Sequence, residues 1–112
     1  MEEELPCKPY AISDKFFESR TQVYDYGVLT FDYFQAERYN RQIEKIIETL
    51  SHFYYAYPEC RHITTKSRMY RNIILDAHLI IYRITDERIE VLDIIHSASG
   101  IRKIRDVRKI RL

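Results

Sequence analysis

The chain has no tryptophan, two glycines, three prolines and two cysteines in 112 residues. So little glycine and proline excludes a collagen, a flexible linker and a loop-rich scaffold. Two cysteines, Cys7 and Cys60, are too few for a disulfide framework and read as reduced, buried or inert thiols of a cytoplasmic protein. No apolar run approaches the ~18 residues that cross a bilayer, so no membrane partner is expected. The start, Met1-Glu2-Glu3-Glu4, is acidic and unlike a signal peptide. Neither sign of charge dominates: 18 basic residues against 17 acidic ones leave +1. That balance excludes a wholly basic histone-like binder and a wholly acidic mimic of nucleic acid. His52 and His62 lack ligand spacing with Cys60, so no metal and no other cofactor is expected.

What is present is enough for one modest core. The chain is 46% hydrophobic and 13% aromatic, too rich for a disordered segment. We read 1–112 as a single domain, with 1–7 frayed and 101–112 a basic tail. The tail carries Arg102, Lys103, Arg105, Arg108, Lys109 and Arg111 against Asp106 alone, which leaves residues 1–101 with a net charge of −4. An anionic target or an acidic partner is drawn to such a tail first. A solvated helix end is the plain alternative. Ile101, Ile104, Val107 and Ile110 recur every third residue within it, which fits an amphipathic helix docked on the core or a detached tail that only steers.

The elements are spelled by periodicity. Residues 8–12 form a short strand, with Pro9 restricting it to an edge or a strand start. Ser13 or Asp14 caps a helix that Gly27 interrupts, and Thr30 caps the next. Ala36, Tyr39, Ile43, Ile46, Leu50, Phe53 and Tyr57 alternate three and four apart, a heptad stripe on one helical face that Pro58 ends. Residues 31–57 would span about 40 Å at ~1.5 Å per residue, completing a helical hairpin. Residues 69–75, 79–85 and 89–96 are short, β-branched and separated by turn residues, an antiparallel meander. A two-residue loop at Asp86-Glu87 pairs Arg83 with Glu90, Tyr82 with Val91 and Ile81 with Leu92. Strict alternation then turns Arg83 and His96 to the same side. The fold class is α+β.

This order resembles the RelE/ParE superfamily of toxins from bacterial toxin–antitoxin pairs. The likeness rests on Ala36-Glu37-Arg38-Tyr39 with Ile43, Ile46, Leu50 and Pro58, on Tyr70-Arg71, on the run from His78 to Ile84, and on the run from Ile89 to His96. It covers residues 8–96. Two features depart from the family pattern: Ser97-Ala98-Ser99-Gly100 stands where many ParE-like members have basic residues and an Asp, and Arg61, His62, Lys66 and Arg68 match the lysine-rich RelE segment only loosely.

The resemblance implies a growth-inhibiting toxin of the ParE branch. It would bind and inhibit DNA gyrase and be neutralised by a cognate antitoxin, touching operator DNA only through that antitoxin. An apolar-rich small domain whose meander leaves one face uncovered further predicts an antitoxin segment bound, in extended or helical form, against the sheet and the groove of the hairpin. A RelE-like, ribosome-dependent mRNA endonuclease is the alternative. Its proton carrier would be His96, and Arg71 and Arg83 would grip the phosphate. Each also has a structural reading: an ion pair with Glu90 for Arg83, a strand-end cap for His96, a solvated strand position for Arg71. A third possibility is a degenerate module that only binds protein within a repressor complex.

Overall fold

The computed structural model describes residues 6–112. Its elements are β1 (Tyr10–Ile12), α1 (Asp14–Thr30), α2 (Tyr33–Phe53), β2 (Tyr70–Ile74), β3 (His78–Ile84), β4 (Ile89–His96), α3 (Ile101–Asp106) and a 3-10 turn (Val107–Lys109). They make one four-stranded sheet in the order β1-β4-β3-β2. β1 runs parallel to β4 and the other neighbours pair antiparallel. This is the expected α+β arrangement of strand, two helices, meander and short C-terminal helix. No helix among the described residues is long and apolar enough to cross a membrane.

Ser13 is the N-cap of α1. Its hydroxyl accepts from the Phe16 N–H at 2.9 Å and donates to the Leu92 carbonyl. One buried side chain therefore starts the helix and ties it to β4. Ser13→Ala removes the cap and strands that carbonyl, a loss of about 1–2 kcal/mol, measurable as a lower midpoint in urea unfolding.

Several boundaries differ from those expected. Gly27 does not interrupt α1. A Cβ built there would meet the Ala36 Cβ at 3.4 Å, so small residues let the two helices approach closely at this point. Asp32, not Thr30, caps α2 by accepting from the Gln35 N–H at 2.8 Å. α2 ends at Phe53 rather than Tyr57: the chain tightens there, with the Ala56 N–H donating to the Phe53 carbonyl at 2.9 Å, and Pro58 has no N–H to offer the Tyr54 carbonyl. The Tyr82 hydroxyl takes that place at 2.7 Å. The buried stripe of α2 is Ala36, Ile43, Ile47 and Leu50, continued by Tyr54 at 1% exposure while Phe53 is 59% exposed. A straight helix drifts relative to a heptad repeat, so burial moves from the expected Ile46 and Phe53 to their neighbours. Residues 1–5, most of the segment read as frayed, lie outside the described residues. The next residue is anchored, because the Tyr54 hydroxyl donates to the Pro6 carbonyl at 2.7 Å.

The meander holds the correction with the largest consequence. Arg83 pairs with Glu90 and Tyr82 with Val91, as expected, but Ile81 pairs with Asp93. Leu92 is thus an extra residue on β4, a β-bulge, and it inverts the alternation for all that follows. Val91 and Ile94 face the helices with Ile80, Tyr82, Ile43 and Leu50. Leu92 and Ile95 face the other way with Ile81. That second face is not left open as expected. Ile104 and Val107 of the C-terminal segment cover it, with Cys60 and Ile63 of the 54–69 loop beside them.

Candidate functional site

α2, β3 and β4 meet at the end of the β3–β4 ladder remote from its hairpin turn. His78 and His96 are cross-strand partners, and their rings meet edge to face with centroids 5.6 Å apart. Tyr39 reaches across from α2, its hydroxyl 2.8 Å from His78 Nδ1. The Ala98 N–H donates to His96 Nδ1 at 3.0 Å, so neutral His96 carries its own proton on Nε2. These groups lie along a cleft of about 700 Å³ between the helical hairpin and the sheet end. Val23, Ile43 and Ile94 give its walls apolar surface, and Arg38 and Lys103 stand among its cations.

Burial pushes the Tyr39 hydroxyl up, and it pushes the His78 imidazole down, with His96 adding to the second effect. His78 therefore binds a proton less readily in the folded chain than in the unfolded one. Its contribution favours folding above the unfolded value of about 6.5 and is lost as pH falls through that value toward the folded one. The melting temperature should drop between pH 7.5 and pH 5, and it should drop less in His78→Gln, a comparison that thermal scans at the two pH values provide.

Of the residues singled out in the sequence, His96 stands in this cleft and the arginines do not. The bulge places Arg83 on the opposite face, beside Glu90, at the other end of β4. Six residues at ~3.3 Å each separate Glu90 from His96 by about 20 Å. Arg83 is engaged there: it meets Glu90 Oε1 at 2.7 Å, the Tyr70 hydroxyl at 3.3 Å and the Ile110 carbonyl at 3.2 Å. Arg71 donates to the Tyr57 carbonyl at 2.9 Å and the Arg68 carbonyl at 3.0 Å, with its guanidinium over the Tyr55 ring. The expected convergence of Arg83 with His96 is therefore absent, and the three side chains do not form one site. Arg102, Arg105, Arg108 and Arg111 are exposed, Lys109 pairs with Asp106 at 3.2 Å, and Lys103 joins the rim of the cleft.

In the sequence Tyr39 and His78 are only parts of a pattern, a heptad stripe and a β-branched run. No alternation or length signal in the sequence joins His78 to His96: the hairpin register alone would set His78 opposite Ile95, and the extra residue on β4 brings His96 there instead.

The protein-family model of the ParE toxin of type II toxin–antitoxin system, parDE, matches residues 10–100. A solved structure described as the chromosomal ParDE toxin–antitoxin system from P. aeruginosa has TM-score 0.66 and 14% identity, covering 82% of this chain and 98% of that chain, which is a likeness of fold. No curated protein matches the sequence. The family match takes in β1, both long helices and the whole meander and stops before α3, and on that extent the chain belongs to the ParE toxin family of type II toxin–antitoxin systems.

Proposed function

We propose that this toxin, one domain over residues 1–112 acting in the cytoplasm, arrests growth by binding and inhibiting DNA gyrase, and that a cognate antitoxin neutralises it. Membership of the ParE family supports the reading. The observation that carries it is the engagement of Arg83 and Arg71 in fixed contacts away from His96. Cleaving a phosphodiester needs proton carriers and phosphate-gripping cations around one reacting group, and the nuclease constellation read from the sequence lacks that convergence. The antitoxin would occupy the cleft between the hairpin and the sheet end and reach operator DNA on the toxin's behalf.

One observation favours the endoribonuclease as a second reading. His78 and His96 are two imidazoles in contact within a cleft that also carries Arg38 and Lys103. Pulse-labelling after induction separates the two. Gyrase inhibition stops thymidine incorporation first, whereas mRNA cleavage stops leucine incorporation first. Folded His96→Ala should keep full toxicity under the gyrase reading. A loss of ~10²- to 10⁴-fold, the range for removing a proton carrier, would favour the nuclease.

A further inference from the structure

The apolar stripe of the C-terminal segment is turned inward, with Ile104 5% and Val107 3% exposed. Burying that stripe fixes where the charge goes. Arg102, Arg105 and Arg108 repeat every third residue through α3 and the 3-10 turn, and all three are exposed. Residues three apart lie on one side of either helix type, so they form a row. Arg61 and Arg68 belong to the 54–69 loop, whose Cys60 and Ile63 pack in the same cluster as Ile104 and Val107, and both are exposed. Two segments distant in sequence thus bring arginines to one side of the sheet.

Acid is scarce there. Among the described residues the ion pairs are Arg20–Glu44, Arg83–Glu90, Arg88–Glu90 and Lys109–Asp106, so none of these five arginines has a carboxylate partner. Asp106 is the one acid in 97–112, and Glu59, half-buried, is the one acid in the 54–69 loop. The cleft by the histidines takes only Lys103 from this segment, and Arg102, Arg105 and Arg108 do not line it. Guanidinium forks on an ordered, acid-poor surface match a regular array of phosphates, and duplex DNA presents one negative charge per ~1.7 Å of its axis.

We propose that this arginine face binds the phosphate backbone of duplex DNA directly, without sequence preference and without an antitoxin. The resemblance implies contact with operator DNA through the antitoxin alone; this contact is of another kind, with any duplex. Direct contact is independent of which enzyme or ribosome the toxin targets. Non-specific binding of this kind has a Kd of ~10⁻⁶–10⁻⁴ M at physiological salt and weakens with salt by about 0.9 log units per log unit for each phosphate engaged.

The test is fluorescence anisotropy of a labelled duplex of mixed sequence with the purified full chain across a salt series, with no gyrase present. The triple variant Arg102→Gln/Arg105→Gln/Arg108→Gln should bind at least ~10-fold more weakly at low salt, with a salt slope smaller by about 2–3. Arg41→Gln/Lys45→Gln, on the exposed side of α2, should match the parent. Melting curves show that each variant is folded, and single Arg61→Gln and Arg68→Gln changes serve if the triple variant is not. Poly-glutamate and phosphatidylserine vesicles complete the comparison and should bind more weakly than the duplex. Binding indifferent to salt or to the arginine changes, no saturable duplex binding, or tighter binding of either other polyanion overturns the proposal.

Discussion

Deleting the chain from Ile101 onward should leave a protein that is largely unfolded at 37 °C. The segment covers Ile81, Leu92 and Ile95, and uncovering such side chains costs ~1.5–3 kcal/mol each. Their sum is comparable to the whole stability of an ordinary domain, ~5–15 kcal/mol. The deletion also removes the Arg108 and Ile110 carbonyls that receive the Arg83 guanidinium. Ile104→Ala, a smaller cavity at a site 5% exposed, should cost about 2–3 kcal/mol. Neutralising Arg102, Arg105 and Arg108 should leave the melting temperature nearly unchanged, since exposed charges contribute little. Chemical denaturation of the three proteins separates packing from charge. A truncated chain that melts with the parent would restore the view of a detached, steering tail.

Glu90→Ala is the single substitution expected to do most damage. Glu90 and Arg83 meet at 2.7 Å with side chains 11% and 14% exposed, and Arg88 adds a second pair to the same carboxylate at 2.9 Å. Removing one partner of a buried pair leaves an uncompensated charge, a loss of about 3–5 kcal/mol. Arg83→Met/Glu90→Leu should recover most of it, because two apolar groups leave no charge stranded. The effect carries its own pH signature. Burial pushes the Glu90 carboxyl up, but hydrogen bonds from Arg83 and Arg88 outweigh it and hold the group below the ordinary carboxylate range. Its stabilisation is therefore present above the unfolded value of about 4.3 and lost as pH falls through the folded value. Urea unfolding of parent and variant should differ most at neutral pH and converge in acid.

What could be read from the sequence was local. Ser13 caps α1 because a hydroxyl before an apolar run is a helix start wherever it occurs. The bounds of β4 and the Arg83–Glu90 pair follow from a short hairpin loop that sets register over its first few residues. What could not be read depends on groups remote in the chain. The α2 terminus is decided by a tyrosine on β3 that reaches the Tyr54 carbonyl. The face of His96 is decided by Leu92, whose bulge no alternation pattern displays. The fate of Ile104 and Val107 is decided by whether the sheet face they need is vacant, and the helices cover only the other one. Tyr39 joined the histidine pair by a contact spanning 39 residues, beyond any periodicity.

The reading of this toxin as a gyrase inhibitor is tested most directly by a supercoiling assay. Purified full-length protein is titrated against gyrase and relaxed plasmid with ATP, beside a primer-extension assay on mRNA in a translating extract. Dose-dependent loss of supercoiling with intact mRNA, unchanged in folded His96→Ala, is the expected result. Undiminished supercoiling at excess toxin, together with mRNA cuts that vanish in His96→Ala, would contradict it.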